Sequence, residues 1–354
     1  MRAIFPIDPW EQPKTWWLRT YCSDVLDQFT TSDFNRRLEF DRESLNPFAG
    51  ITVALVDVDS GESVAALGSV PCVVIGRTEP NSGGESANCD VTVDDDRVLD
   101  DILTTIERSP QAALATVLLL RGVEQRTVEQ SLIAESSTYS MLQAGAEFAQ
   151  WRSGRIRRDS DSSSQGSDDG AIVIGERTDD HLSITLNRPE RRNAYSSLMR
   201  TALAELLRVA VIDHSIVGVS LRGAGTNFSS GGDLDEFGSF TDPVLAHLSR
   251  LTSNVGSMLD TLRQRLGRKL RCEMHGENFG AGVEIPAFAG WVTATPDTKF
   301  CLPEIALGLV PGAGGTASLP LRIGRQRTAE LALTGRAIDA KKALHWGLID
   351  ELSG

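Results

Sequence analysis

The sequence predicts an α/β protein, and three observations carry that prediction. Short apolar runs with strand-like character recur between longer stretches of helical spacing. The intervening helical stretches are long enough to return the chain across a sheet, so the strands can be joined by crossover connections. Apolar residues make up 41% of 354 residues, ordinary for a globular chain long enough for one large domain or two smaller ones.

Taken in order, residues 1–48 read as an N-terminal extension and residues 49–154 as a smaller α/β domain. Within it, "VLDDILTTIERSPQAALATVLLLRG" (98–122) reads as a helix followed by a strand, "ATVLLL" (115–120). "QSLIAESSTYSMLQAGAEFAQW" (130–151) has the composition of helices with an apolar face. "RIRRDSDSSSQGSDDG" (155–170) is rich in Ser, Asp and Gly and reads as a flexible linker. Residues 171–354 form the second half. There "LSITLN" (182–187) alternates like a strand, and Ser196 is placed to cap a helix with Leu198, Ala202, Leu206 and Val209 on one face. "IVGVSLRG" (216–223) is a buried strand, residues 243–267 are helical, and "KLRCEMHG" (269–276) is a further strand. Residues 98–122 echo 198–223, both running helix then strand to "LRG", so a degenerate internal repeat is expected.

Composition excludes several classes. A formal net charge of −13 disfavours nucleic acid, whose binders neutralise phosphates with a basic face. The five cysteines, Cys22, Cys72, Cys89, Cys272 and Cys301, are scattered and odd in number, with no CxxC, and read as reduced thiols of a cytoplasmic protein. The five histidines form no HxxxH pair, and no metal site is expected. No apolar run approaches the roughly 20 residues of a membrane helix. "MRAIFPIDPWEQPKTWW" has no continuous apolar core, so no signal peptide is expected.

The chemistry points to glycine-rich loops. "GTNFSSGGDL" (225–234) follows the strand at 216–223, where glycine would let a backbone approach a ligand. It is no phosphate-binding P-loop, since GxxxxGK[ST] is absent, and Phe228 stands where a dinucleotide fingerprint needs its third glycine. A second cluster, "HGENFGAGVEIPAFAG" (275–290), contains Glu284, and Glu304 follows in "FCLPEIALGLVPGAGGTASLPLRIG" (300–324).

With these loops in place, the second half resembles the crotonase, or enoyl-CoA hydratase/isomerase, superfamily. The stretches "LNRPERRNAYS", "RGAGTNFSSGGDL", "HGENFGAGVEI", "PEIALGLVPGAGGTASLPLRIG" and "LTGRAIDAKKALHWGLID" occur in the family's order across roughly residues 171–350. The resemblance implies a spiral of ββα units, usually assembled as trimers or hexamers, acting on acyl-CoA thioesters. Coenzyme A would enter as part of the substrate, with no separate cofactor. The implied reaction is addition of water across the 2,3 double bond of an enoyl-CoA. Double-bond isomerisation, or another enolate reaction on a CoA thioester, is the nearby alternative. A non-catalytic protein that binds acyl-CoA or a partner enzyme is the alternative from another class.

The same resemblance assigns residues. Glu284 and Glu304 would be the catalytic pair, two carboxylates that can share activation of water and delivery of a proton. Backbone N–H groups of Ser230 and Ala281 would form an oxyanion hole for the thioester oxygen, with Ala281 where the family usually has glycine. Arg191, Arg192, Ala194, Gly231, Gly232, Asp233 and Leu234 would line the coenzyme A site, and His275 would be structural. Three departures stand out: Gly290 where the family carries aspartate, Pro286 early in a usual helix, and an end at "WGLIDELSG" before helices that usually cover the site. Residues 49–154 are accordingly expected to be catalytically silent and to pack on the second half, with 130–151 as cover.

Overall fold

The computed structural model describes residues 26–58, 63–79, 88–155, 170–240 and 242–353, which fall into two units, Met1–Asp94 and Asp95–Gly354. The division comes well ahead of the expected one at 154/155. Most of the Ser/Asp-rich stretch, residues 156–169, lies outside the described residues, as do Cys22 and the opening segment.

In the first unit β1 (Leu26–Thr30), β2 (Val53–Asp57), β3 (Val73–Arg77) and β4 (Val91–Val93) pair in chain order, all parallel. The apolar runs of β2 and β3 are buried through their first four residues, as strands inside a parallel sheet require. Thr30 caps α1 (Thr31–Phe40) by accepting from the Asp33 amide at 3.1 Å. Phe34, Leu45, Val56, Val64, Cys72, Val74 and Cys89 belong to one core. Residues 26–48 are therefore part of this unit, not a separate extension.

The second unit opens with four helices: α2 (Asp96–Arg108), α3 (Pro110–Arg121), α4 (Val128–Gln143) and α5 (Ala146–Ser153). The expected strand at 115–120 is helix α3. Pro110 in its first turn pre-sets a helical φ, three alanines favour the helix, and Thr116 returns its hydroxyl to the Ala112 carbonyl at 2.8 Å. With that strand gone, the expected internal repeat is not realised.

The remaining chain builds two sheets. β5 (Val173–Thr178), β6 (His181–Leu186), β7 (Gly218–Gly223), β8 (Leu270–Met274), β10 (Trp291–Ala294) and β13 (Glu351–Leu352) form one, in the order β13-β10-β8-β7-β6-β5. Its pairings are parallel except β5 with β6. β9 (Glu277–Phe279), β11 (Lys299–Cys301) and β12 (Ile338–Asp339) form the second sheet. The chain passes from the first sheet to the second between β8 and β9, and again between β10 and β11. β8 pairs parallel with β10 and β9 with β11, so successive turns stack as a two-sheet spiral.

Helices α6 (Ser197–Ile212), α7 (Pro243–Thr252), α8 (Val255–Leu266), α9 (Ala281–Glu284), α10 (Gly315–Thr334) and α11 (Ala340–Trp346) complete the unit. Ser196 caps α6 as expected, accepting from the Met199 amide at 3.2 Å. The buried face of α6 is offset by one residue, however. Met199, Leu203, Leu207 and Ala210 are buried, while Leu198 and Val209 are 70% and 52% exposed. Two apolar stripes of the same period run along this helix, and only packing chooses between them. The stretch 243–267 breaks into α7 and α8, with Asn254 capping the second through the Ser257 amide at 3.1 Å. At Gly290 any Cβ would stand 2.0 Å from the Gly267 carbonyl oxygen, which leaves no room for aspartate. Pro286 is accommodated at the start of a separate 3-10 turn, Pro286–Phe288, so the helix before it simply ends.

Helices α2–α5 close over the spiral. α3 packs on α10, and Glu147 of α5 accepts from the Gln111 and Ala112 amides at 2.7 and 3.0 Å, satisfying the first turn of α3. Phe148 is fully buried and stacks on Trp151, which tilts against Phe237. Burying a side chain such as Phe148 or Leu132 contributes roughly 1.5–3 kcal/mol. A chain of residues 95–354 is therefore expected to be soluble and to melt in one cooperative transition. A chain of residues 171–354, stripped of this cover, is expected to aggregate. Size-exclusion chromatography with thermal melts by circular dichroism checks both, and a monodisperse, cooperative 171–354 fragment would contradict the assignment.

Candidate active site

Two turns bring Glu284 and Glu304 together. Glu284 ends the short helix α9, and Glu304 opens the 3-10 turn Glu304–Leu307 that follows β11. β9 and β11 lie side by side, so the residues just beyond them meet. Gly280 sits between at φ 46°, and a Cβ there would be 2.0 Å from Glu304 Oε1 and 3.7 Å from Glu284 Oε1. Glycine is needed on both counts, the left-handed backbone and the approach of two carboxylates.

A third carboxylate, not singled out from the sequence, completes the cluster. Four successive amides at the start of α10 alternate between two acids. Ala313 and Gly315 donate to Glu284 Oε2 at 2.7 and 2.8 Å. Gly314 donates to Glu135 Oε1 at 2.7 Å and Thr316 to Glu135 Oε2 at 2.8 Å, with the Thr316 hydroxyl adding a bond of 2.7 Å. Glu135 belongs to α4, on the buried stripe with Leu132, Ser136 and Tyr139. An acid at that place in an otherwise apolar and small-residue stripe is the signal by which it could have been found, since a buried carboxylate requires donors.

All three carboxyls are held protonated more strongly than usual. Burial raises Glu135 to about 7, against the opposing bonds from Thr316 and Gly314. Burial raises Glu304 to about 8, with the Glu135 charge adding to it. Glu284 is raised well above the carboxylate range by burial, then by the charges of Glu304 and Glu135, while the Ala313 and Gly315 amides oppose. Like charges in one dry site cannot all ionise, so the cluster retains protons near neutral pH. Glu304 Oε2 is buried and has no hydrogen-bond partner among the described residues, which leaves that oxygen available to a reactant.

The amides of the two glycine loops differ from expectation at one position. The Ser230 amide donates to the Arg192 carbonyl at 2.9 Å, so it is engaged inside the fold. The neighbouring Gly232 faces Tyr195 as a parallel bridge in which Tyr195 N bonds Gly231 O and Asp233 N bonds Tyr195 O. That pattern turns the Gly232 amide away from Tyr195, and no bond to it is found among the described residues. Gly232 and Ala281 both border the cavity that holds the glutamates. The amide available beside Ala281 is thus that of Gly232.

Two spaces meet at this point. An inner cavity of about 200 Å³ is bordered by Glu135, Tyr139, Tyr195, Arg200, Arg250, Ala281, Glu284 and Glu304. An outer groove of about 760 Å³ is bordered by Arg191, Arg192, Ala194, Gly231, Gly232, Asp233 and Leu234, the residues expected to receive coenzyme A. Gly232, Asp233, Phe237 and Glu304 border both. Within the groove, Arg191 pairs with Asp235 at 2.9 Å and Asp233 turns inward, accepting from the Asp235 amide at 3.2 Å and standing 3.7 Å from Arg188. Arg192 is exposed at the rim with φ 50°. His275 bonds the Gly225 carbonyl at 3.0 Å, a structural tie.

Residues 177–353 match the enoyl-CoA hydratase/isomerase family. The chain is 35% identical over 171 residues to the 1,2-epoxyphenylacetyl-CoA isomerase of Escherichia coli, covering 48% of this chain and 64% of that protein. It is 31% identical over 180 residues to the 2,3-dehydroadipyl-CoA hydratase of the same organism, covering 51% and 68%. The solved structure of Pseudomonas aeruginosa AtuE is similar at 31% identity and a TM-score of 0.47, covering 52% of this chain and 70% of that one. The matched part of the chain thus spans about two thirds of its relatives. No helix among the described residues is long and apolar enough to cross a membrane.

The raised carboxyls set a pH dependence. Glu304 binds its proton more tightly folded than unfolded, so between about 4.5 and about 8 the folded state holds the extra proton. Stability from this group is therefore complete below that window and is lost as pH rises through it. The urea midpoint should fall between about pH 5 and about pH 9, and Glu304→Gln, which cannot ionise, should show a distinctly smaller fall. Equal falls in the two proteins would show that Glu304 ionises as freely folded as unfolded.

Proposed function

The chain belongs to the enoyl-CoA hydratase/isomerase family, and on that premise we propose that it adds water across the 2,3 double bond of an acyl-CoA thioester. The observation that carries this reading is the meeting of Glu284 and Glu304 at Gly280, with Glu304 Oε2 unpartnered in the cavity. The cluster has room for one ionised and one protonated carboxyl. The ionised group takes a proton from water as its oxygen bonds the β-carbon, and the electron pair of the double bond moves toward the thioester oxygen. The Gly232 and Ala281 amides receive that charge. The protonated carboxyl then delivers hydrogen to the α-carbon, giving a 3-hydroxyacyl-CoA, and the pair ends with one proton as it began.

The groove beside Arg192 and Leu234 is where the nucleotide end of coenzyme A would lie, with the acyl end entering past Gly232. Isomerisation is the second reading, favoured by the description of the matching family, enoyl-CoA hydratase/isomerase. It needs only one of the two glutamates to move a proton between carbons, whereas hydration uses both. Two carboxyls with raised proton affinity at one cavity argue against a purely binding role. Self-assembly belongs to the same reading, supported by Leu198, Val209 and Ile212, all more than half exposed on α6.

Glu284→Gln and Glu304→Gln are each expected to lower hydration of a 2-enoyl-CoA by about 10²-fold or more, with the double variant far short of the product. Full activity of either single variant, read by loss of enoyl absorbance, rules out the two-carboxylate mechanism. If only one matters, isomerisation takes its place.

For the oxyanion hole, Ser230→Ala should leave turnover within about twofold, since neither its amide nor its hydroxyl serves the reaction. Gly232→Pro removes an amide that holds no internal bond and should cost about 10²-fold in kcat. Gly232→Ala keeps the amide while placing a Cβ 2.7 Å from the Phe237 ring, and so separates crowding from donor loss. Equal damage from alanine and proline at Gly232 would assign the effect to crowding.

A further inference from the structure

The inner cavity carries two guanidinium groups that the proposed reaction does not use. Arg200 lies in the first turns of α6 and Arg250 near the end of α7, and both border the cavity but not the outer groove. They therefore stand beyond Gly232 and Glu304, on the side an acyl chain would reach after its thioester has docked.

Among the described residues neither has a carboxylate paired with it. Arg200 Nη2 donates to Ser249 Oγ at 3.2 Å, and its Nε is buried with no hydrogen-bond partner among the described residues. Among the described residues Arg250 donates to neutral oxygens, Ser140 Oγ at 2.8 Å, Gln143 Oε1 at 2.7 Å and the Ala246 carbonyl at 3.1 Å, and lies 4.2 Å from the Tyr139 ring centre. The acids nearby are engaged elsewhere. Glu236 accepts from the Ser197 amide at 2.7 Å and its hydroxyl at 3.1 Å, while Glu135 serves the α10 amides. Burial, and after it the neighbouring Arg200 charge, lowers the Arg250 guanidinium from its ordinary range, with Tyr139 and Glu135 opposing.

Two neighbouring, half-buried cations bordering a narrow cavity disfavour a plain hydrocarbon chain, which would desolvate them further without compensation. A carboxylate between them gains charge-assisted hydrogen bonds, satisfies the orphan Nε and relieves their mutual repulsion. We propose that Arg200 and Arg250 bind a carboxylate at the far end of the acyl chain, so that the substrate is the CoA thioester of a dicarboxylic 2-enoic acid. This rests on the acyl-CoA reading of the site and names the class of acyl group.

Binding of unreactive saturated thioesters to the full chain, measured by isothermal titration calorimetry, tests it without needing turnover. Succinyl-, glutaryl- and adipyl-CoA are compared with chain-matched butyryl-, valeryl- and hexanoyl-CoA. At least one dicarboxylic thioester should bind about tenfold tighter than its neutral match, and Arg200→Met, which gives up a single hydrogen bond, should bring that ratio to within about threefold of one. Arg250→Met is read the same way, and the wild-type ratios stand if either variant fails to fold. Ratios near one for all three pairs in the wild type, or an unchanged ratio in folded Arg200→Met, overturn the proposal. Turnover of the matching unsaturated thioesters separates the two readings. A carboxylate preference in binding with no hydration supports the arginine site and refutes the hydratase, whereas hydration of neutral chains with no preference does the reverse.

Discussion

Four consecutive amides, Ala313 to Thr316, alternate between Glu284 and Glu135. The start of any helix leaves such donors unsatisfied, and here two acids from distant segments take them in turn. A bond to an ionised carboxylate is worth about 1.5–3 kcal/mol and one to a protonated carboxyl about 0.5–1.5 kcal/mol, while burying a carboxylate costs several kcal/mol, so the gain in net stability is small. What the arrangement delivers is position. It holds Glu284 facing Gly280, and it sets α4 at the height that brings Tyr139 against Gly312 at the wall of the inner cavity. Glu304 stands on the same cavity with one buried oxygen, Oε2, unpartnered among the described residues.

The electrostatics of the site follow from the same enclosure. Three carboxyls share one dry space, each made harder to ionise by burial, while two arginines near them carry their charges on neutral oxygens and a ring. The acids and bases are segregated rather than paired. Acids line the face turned to the glycine loops, and the guanidiniums line the face formed by α6 and α7. A thioester spanning the two would meet proton donors at one end and cations at the other.

Much of this was legible in the residues, and the parts that were not share a cause. The strands at β6, β7 and β8, the Ser196 cap, and the pair Glu284 and Glu304 all follow from local pattern and motif order. Leu198 and Val209 were expected inside α6 and lie outside, because two stripes of equal period compete and only the sheet beneath decides. Residues 115–120 are apolar enough for either state, and the preceding Pro110 and alanines were the better guide. That the Ser230 amide is held by the Arg192 carbonyl, while the Gly232 amide has no bond among the described residues, was hidden because it depends on what Arg192 and Tyr195 do across the loop. Arg200 and Arg250 were invisible for the same reason, and Glu135 showed only as an acid on a buried stripe: their meaning lies in partners far along the chain.

The distance between those partners bears on how the molecule is made. Glu135 and the amides of Gly314 and Thr316 are 179 and 181 positions apart, and the helix comes first. During synthesis α4 leaves the ribosome long before the loop that will receive it, with its carboxyl and the apolar stripe around Leu132 and Tyr139 still exposed. At about 5–20 residues per second, that interval lasts on the order of ten seconds or more. Closure of the site is thus a late, long-range event in folding. The nascent chain carries an unsatisfied helical face through about half of its translation, the kind of surface that chaperones bind and that aggregation exploits.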